Sequence, residues 1–580
     1  VRRYLELLGV IVVCGLFWLF VPLIGLFPTI LIAVIIPYFF FEFRSNKQLA
    51  LLALGTGVLL GISWPHTGGV TPLIFVALVP MLFLENHIHK KKYMPYKVLR
   101  LSYFMALVFN TITTWWIYHA SPEGAFMAVL ANSFIMAIVF WLFHLTRRRV
   151  GDKEGYVAFV IYWLGFEWAH FNWELSWPWL TFGNSFADFT KWVQWYEYTG
   201  VLGGTLWVLC ANMVAFFLLK EIISNHQTVK SQWRRITTFG LIILIPIVAS
   251  LSIYYGYEEK KDPVSVVAIQ PNINPYKKFN GELTPAQQVR RIISLGQEKT
   301  DAETDFVIAP ETALPYSLNE SELDSTGEVK LLRRFMQPFP DLRMIIGMSS
   351  YKLFFQKKAP SLAARQLDED VFQESYNTAM QLETGQELNL YHKSKLVLGV
   401  ERLPFAWLLK PIEGFAIDLG GTTGTLGVEE EPFVFSSKKS KAGKVVAPVI
   451  CYESIYGEYV TEYVKKGAEL IFIITNDGWW KDTPGYKHHV AYARLRAIEN
   501  RRSIARSANT GVSCFINQRG DVFKATKWWK PDVIKMDINA NSTITFYTEH
   551  GDYIGRVAVF VAILMLLWTI VRPYKDLIKR

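Results

Sequence analysis

The chain is predicted to combine a multi-pass α-helical membrane bundle with an extracytoplasmic α/β sandwich domain set before the last span. Three observations predict this. Of 580 residues, 51% are hydrophobic, 15% aromatic and only 19% charged, far from a soluble average. Long uncharged apolar runs fill residues 4–255 and return only at 553–571, whereas 257–552 has an ordinary globular composition. Short basic clusters fall after every second run, the spacing that membrane topology imposes.

Ten apolar runs are read near 4–21, 23–42, 49–64, 70–85, 101–119, 124–145, 156–171, 199–219, 236–255 and 553–571. A span needs about 20 residues, and some runs are shorter. The basic clusters Arg2/Arg3, Arg44/Lys47, Lys90–Arg100, Arg147–Lys153, Lys220–Arg235 and Arg572–Arg580 decide the pairing. With all of them cytoplasmic, the runs make four hairpins and a ninth crossing that delivers 257–552 outside. Both termini then lie in the cytoplasm. The expected division is 1–256 as the N-terminal bundle of about nine spans, 257–552 as the polar domain, and 553–580 as a last helix with its tail. The first run lacks a small-residue cleavage site, so the start reads as membrane-retained.

The net charge of +10 is dispersed between apolar runs, which argues against a nucleic-acid face. Cys14 and Cys210 lie in apolar runs, leaving Cys451 and Cys514 in the polar region, too few for a disulfide framework. No zinc spacing or phosphate loop is evident, and neither metal nor cofactor is expected. Glu167 and His170 fall in or at the end of an apolar run, where an ionisable group needs a partner or a function. The loop from Phe171 to Tyr198 is Trp-rich, consistent with anchoring at the membrane interface.

Within the polar region, Ser265–Gln270, Phe306–Ala309, Arg343–Gly347, Tyr376–Leu382, Val445–Ile450 and Leu470–Ile474 read as strands. Pro285–Lys299, Val329–Met336, Glu458–Lys466 and His489–Arg501 read as helices. The mixture predicts a sandwich around one core, with chemistry at strand ends. Three exits carry reactive groups: Pro310-Glu311-Thr312, Cys451-Tyr452-Glu453, and Tyr391-His392-Lys393, with Glu401 following. Singly each is weak, since such carboxylates and lysines are ordinarily solvated and a lone cysteine is ordinarily core.

Together they resemble the nitrilase, or carbon-nitrogen hydrolase, superfamily over about residues 263–540. The stretches Tyr376-Asn377-Thr378-Ala379, Thr475-Asn476-Asp477-Gly478-Trp479-Trp480 and Ala493-Arg494 through Glu499-Asn500-Arg501 to Asn509-Thr510-Gly511 extend the likeness. It implies an α-β-β-α sandwich with a Glu-Lys-Cys triad of Glu311, Lys393 and Cys451. A nitrilase-like domain held between membrane segments, with Pro178-Trp179-Leu180 and Phe182-Gly183 in the bundle, is similar to the apolipoprotein N-acyltransferase family. That family has fewer spans than are read here, so residues 4–42 look like an added hairpin. The chain also has Leu398-Gly399-Val400 before Glu401, where the family shows Pro-Phe-Gly.

The resemblance implies transfer of a fatty acyl group from a phospholipid to the N-terminal amine of an S-diacylglyceryl cysteine on an apolipoprotein, at the bacterial cytoplasmic membrane with the catalytic domain on the periplasmic side. Cys451 would carry the acyl group as a thioester. Glu311 would move the protons. Lys393 and the Tyr452 amide would stabilise the oxyanion. Glu401 would position the lysine or the amine, with Glu453 and Asn377 in support and Trp479 and Trp480 walling the site. The expected partners are thus a phospholipid donor, a diacylated apolipoprotein and the bilayer, with no nucleic acid. Two other readings are open: a membrane-anchored amidase that hydrolyses a C–N bond with the same triad, and a transporter or receptor with an outer binding module.

Overall fold

The computed structural model describes residues 26–278, 283–405, 407, 425–437 and 443–572. The apolar run at 4–21, the Arg2/Arg3 cluster and the tail after Arg572 lie outside them. Eight helices open the described chain: α1 Leu26–Ser45, α2 Lys47–Ser63, α3 Val79–Lys90, α4 Tyr96–Thr114, α5 Pro122–Arg149, α6 Asp152–Asn172, α7 Tyr196–Ser224 and α8 Trp233–Gly256. Their ends obey local rules. Ser121 caps α5 by accepting from the Gly124 amide at 3.0 Å, with Pro122 at the first helical position, where a missing N–H costs nothing.

The polar region then folds as strands β1 Pro263–Gln270, β2 Phe306–Ile308, β3 Leu314–Asn319, β4 Arg343–Phe355, β5 Arg365–Asp368, β6 Val371–Glu383, β7 Asn389–His392, β8 Val446–Ile450, β9 Leu470–Thr475, β10 Ser503–Ala508, β11 Cys514–Ile516, β12 Val522–Phe523 and β13 Asp532–Asn539. Interleaved are α9 Pro285–Gln297, α10 Gly327–Met336, α11 Gly457–Lys465, α12 Pro484–Asn500 and α13 Phe546–His550, and α14 Tyr553–Val571 closes the chain. α9 starts at a reciprocal capping box between Thr284 and Gln287, the Thr-Pro-x-Gln pattern that satisfies two orphan donors.

One sheet runs β13-β1-β2-β4-β6-β5, with β3 beside β4 and β7 beside β6; the other runs β12-β11-β10-β9-β8. Val266, Ile308, Val446 and Phe472 pack between the sheets, Phe472 against Phe306 at 5.0 Å, while Val267, Ile292, Leu332 and Ile346 fill a separate layer under α9 and α10. Two apolar clusters, not one, hold the sandwich, because a sheet buried on both faces needs a layer on each.

Five helical segments among the described residues are long and apolar enough to cross a membrane: 71–90, 124–149, 196–224, 229–256 and 553–571. On the last two the apolar side chains point outward, with Val248 59% and Phe560 65% exposed, as suits hydrocarbon and not water. The protein is membrane-embedded. Glu167 is buried in α6 and accepts from Trp163 Nε1 at 3.0 Å, the Phe182 amide at 2.9 Å and Thr205 Oγ1 at 2.6 Å. Its carboxylate pins the Pro178–Gly183 segment to the bundle, which gives this buried acid a packing role.

That segment meets the sandwich through α12. Trp64 Nε1 donates to Tyr492 Oη at 3.0 Å, and Tyr492 donates to the Trp179 carbonyl at 3.0 Å. Trp179 Nε1 donates to His488 Nδ1 at 3.2 Å, leaving Nε2–H for the Pro65 carbonyl at 2.6 Å. An indole can only donate, so this pairing fixes the His488 tautomer. One apolar cluster runs without a break from the bundle into Tyr452, Ile455, Tyr456 and Tyr492.

Candidate active site

Glu311 leaves β2, Lys393 leaves β7 and Cys451 leaves β8, and the sandwich brings the three exits together. Lys393 Nζ lies 3.1 Å from Glu311 Oε1 and 3.0 Å from Glu401 Oε1. Asn377, on β6, donates from one amide nitrogen to both carboxylates, at 2.8 Å to Glu311 and 2.9 Å to Glu401. The Asn476 amide gives Glu311 Oε2 a third partner at 3.0 Å. Every oxygen of the proposed base is thus held by a donor, which fixes its direction.

The neighbouring backbone is tuned to the same end. Cys451 has φ 49° and Thr312 has φ 48°, left-handed values that cost a non-glycine residue of order 1–2 kcal/mol. Gly347 lies under Glu311, where an added Cβ would stand 2.5 Å from the Glu311 Cα. Lys278 reaches the Thr312 carbonyl and hydroxyl from the other side. Burial pushes the Lys278 ammonium down to about 7, against the pull of Glu311.

Glu453 ties two exits together. Its carboxylate accepts from the Ile450 amide at 2.8 Å, before the cysteine, and from the Ser394 amide at 2.8 Å, after the lysine. Tyr391 donates to it at 2.6 Å and Tyr463 at 3.1 Å. Burial raises this carboxyl, and those donors oppose the rise.

Electrostatics assign a resting state. Burial alone would push Lys393 down, but Glu311 and Glu401 carry its ammonium well above the ordinary lysine value. Burial and then the Glu311 carboxylate push the Cys451 thiol up, against the lowering pull of Lys393. Lys393 does favour the thiolate, yet burial outweighs it. The thiol therefore rests neutral beside the Lys393 ammonium.

Two cavities meet at Cys451. An apolar one of about 360 Å³ runs from Tyr452, Trp179 and Trp480 along α5 to Ile135. A more polar one of about 500 Å³ holds Glu311, Lys393, Asn377, Glu401 and Lys278. Trp480 borders both and packs against Trp116 with centroids 5.1 Å apart. Trp479 borders the polar side and accepts from Tyr276 Oη through its carbonyl at 2.8 Å. Tyr452 stacks over Trp179 at 6.4 Å. His170 lines the apolar cavity.

Two groups around the site have no signal in the sequence: Lys278 sits in an unremarkable Lys-Lys pair, and His489 becomes a neighbour of the cysteine only through the fold. Glu401 is reached despite the unfamiliar residues before it. The Glu401 amide donates to the Val397 carbonyl at 2.9 Å, and Gly399 supplies the left-handed corner at φ 76°. Its carboxylate then turns back to accept from the Val397 amide at 2.8 Å.

A two-sheet sandwich presenting a cysteine, a lysine and a glutamate from strand ends defines a protein of the carbon-nitrogen hydrolase class, and residues 265–547 match that family's model. Residues 56–214 match the model of the apolipoprotein N-acyltransferase N-terminal domain. An apolipoprotein N-acyltransferase of Chlorobaculum tepidum is 31% identical over 542 residues, covering 90% of this chain and 96% of its own. One from Geobacter metallireducens is 25% identical, covering 88% and 93% respectively, and one from Borreliella burgdorferi is 23% identical, covering 90% and 95%. The chain belongs to the apolipoprotein N-acyltransferase family.

Proposed function

We propose that this protein moves a fatty acyl group from a phospholipid onto Cys451 and from there onto the N-terminal amine of an S-diacylglyceryl cysteine on an apolipoprotein. One observation carries the reading: Cys451 stands where an apolar cavity meets a polar one that contains the Lys393, Glu311 and Glu401 cluster. A phospholipid ester has the same division, a hydrocarbon chain on one side of its carbonyl and a polar head on the other.

In the first half-reaction Glu311 accepts the thiol proton as sulfur attacks the ester carbonyl. Because burial keeps the thiol protonated at rest, this transfer accompanies attack and does not precede it. The oxyanion forms against the Lys393 ammonium and the Tyr452 amide, donors of the kind worth about 3 to 4 kcal/mol each. Collapse breaks the C–O bond, and Glu311 returns its proton to the departing lysophospholipid oxygen. In the second half the amine attacks the thioester while Glu311 takes its proton. The C–S bond then breaks, and the sulfur recovers that proton as the amide leaves.

Glu401 and Asn377 hold Lys393 and Glu311 in register, and Glu453 keeps the two strand exits at fixed separation. Aromatic walls exclude water, which would otherwise divert the thioester to hydrolysis. The distribution of basic clusters supports a periplasmic catalytic domain on the cytoplasmic membrane, with cytoplasmic termini.

The test is intact-mass analysis of purified protein after exposure to a chain-labelled phospholipid, followed by addition of a diacylated lipopeptide. One long-chain adduct on Cys451 that then moves to the lipopeptide amine is expected. Release of the label as free acid, or turnover of simple amides alone, would favour the amidase. Unimpaired function of Cys451→Ala would favour a binding module and overturn the proposal.

A further inference from the structure

Behind the nucleophile stands a buried polar relay that the triad chemistry does not use. The Cys451 carbonyl is met by two groups: Ser454 Oγ donates to it at 2.8 Å, and His489 Nε2 lies 3.1 Å from it. Ser454 Oγ and His489 Nε2 are themselves 2.9 Å apart. On the far side of the ring, His489 Nδ1 stands 2.9 Å from Asp477 Oδ1 and 3.1 Å from Arg506 Nη2, which can only donate. Asp477 is gripped by Arg506 Nη2 at 2.7 Å and by Thr475 Oγ1 at 3.0 Å, and Arg506 is anchored on the Val512 carbonyl at 2.6 Å. His489, Asp477, Arg506 and Ser454 are each no more than 1% exposed.

The relay is costly to bury, so its geometry calls for a purpose. A carbonyl oxygen only accepts. The His489 nitrogen beside it therefore serves it by carrying a proton, with the Ser454 hydroxyl as second donor. The carbonyl belongs to a residue held at φ 49°, a conformation that a cysteine does not adopt without outside support. Turning that peptide unit back toward an ordinary conformation would swing the Cα–Cβ bond and move the sulfur within the cavity it shares with Lys393 and Glu311. Apart from Ser454, in the turn that follows β8, the relay comes from three elements, β9 and its exit, β10 and α12, so it holds the nucleophile's backbone from the half of the sandwich opposite to Glu311 and Lys393.

We propose that His489, aligned by Asp477 and Arg506, is a positioning residue that locks the Cys451 peptide by donating Nε2–H to its carbonyl. It acts on the backbone and touches neither substrate. The inference rests on Cys451 being the acyl carrier.

Glutamine and asparagine separate the two ring nitrogens. A glutamine amide nitrogen reaches roughly where Nε2 stands, whereas an asparagine nitrogen reaches only the Nδ1 position. His489→Asn should slow formation of the Cys451 acyl-enzyme on the order of 100-fold, the loss that accompanies misplacement of a reacting atom by about 1 Å. Its KM for phospholipid should stay within about twofold, because no binding group is removed. His489→Gln should recover the rate to within about fivefold of the parent, since the donor is restored.

A second readout needs no lipid. Alkylation of Cys451 by iodoacetamide should fall in His489→Asn and recover in His489→Gln, and Ser454→Ala should fall by a smaller factor. Circular dichroism melting of each variant in detergent reports folding. If His489→Asn does not fold, the comparison of Ser454→Ala and His489→Gln with the parent decides. Equal rates for His489→Asn and the parent, or loss in His489→Gln as deep as in His489→Asn, would overturn the proposal. Failure of the parent itself to acquire an acyl adduct would instead undo the reading of Cys451, and the two failures are distinct.

Discussion

Replacing Gly347 by alanine tests whether the placement of Glu311 limits the chemistry. The glycine lies on β4 beneath the β2 exit, and its amide donates to the Pro310 carbonyl at 3.1 Å. A Cβ built there would stand 2.5 Å from Glu311 Cα, 2.7 Å from the Pro310 carbonyl oxygen and 2.7 Å from the Thr312 nitrogen. Ordinary carbon contacts begin near about 3.5 Å, so the backbone carrying Glu311 must retreat by about 1 Å. All three contacts are main chain, so no flexible side chain can absorb the overlap. The carboxylate would carry its share of that shift into bonds of 2.8 to 3.1 Å with Asn377, Asn476 and Lys393, taking them toward the limit of useful hydrogen bonding. A displacement of this size costs on the order of 100-fold in rate, or about 3 kcal/mol in the barrier. The assay is single-turnover acylation of Cys451 by phospholipid, read by intact mass, with thermal melting in detergent to confirm a folded chain. Gly327→Ala is the control, because nothing lies within 4 Å of its Cβ position at the start of α10. A folded Gly347→Ala protein that acylates within about threefold of the parent, or an equal loss in Gly327→Ala, would refute the reasoning.

The other predictions concern charge and connection. Lys393→Met removes the ammonium that opposes the oxyanion and leaves Glu311 and Glu401 facing one another, so acylation should fall by at least about 1000-fold with the chain still folded; a loss under tenfold would contradict it. Glu453→Gln keeps the shape but replaces an all-acceptor carboxylate by an amide that must face at least one donor, so acyl-enzyme formation should drop about 10- to 100-fold, and Tyr391→Phe should cost less, since only one of several donors is lost. Because burial and Glu311 raise the Cys451 thiol, the thiolate is the minor species at neutral pH and its share grows about tenfold per unit of pH. Iodoacetamide alkylation of ligand-free protein should therefore climb without levelling through about pH 9, and a plateau below about pH 8 would show a preformed thiolate instead.

Much of the architecture is legible because burial writes period and length into sequence. Fully buried strands such as Leu470–Thr475 read as short β-branched runs, and the apolar runs that become helices up to α8 and α14 are interrupted by charge. Strand β10 escapes this logic. Its residues Ser503–Ala508 include Arg506, which reads as solvated but is fully buried because Asp477 accepts its guanidinium. The antiparallel pair β4 and β6 also exceeds its predicted strands, since the outer halves are less completely buried and mix polar with apolar residues, and only pairing from Arg343↔Glu383 to Phe355↔Val371 defines them.

The candidate triad is legible for a different reason: a reactive side chain just past a buried strand is forced to the sandwich edge, where another exit can meet it. What pattern cannot supply is the support for that meeting. Lys278, Ser454 and His489 lie 173, 3 and 38 positions from Cys451, and no period links them. Their contacts are made by loops and by one face of α12, through peptide groups that any sequence possesses. The turn before Glu401 makes the same point from the other direction. Leu398-Gly399-Val400 departs from the family pattern, yet the turn is set by the Val397 carbonyl, which accepts from the Glu401 amide, and by one residue able to take φ 76°. Proline in place of Leu398 would stiffen such a turn but is not required to close it. In this chain Gly399 takes the corner and the residues on either side leave the family pattern, while the Glu401 carboxylate still meets Lys393 at 3.0 Å.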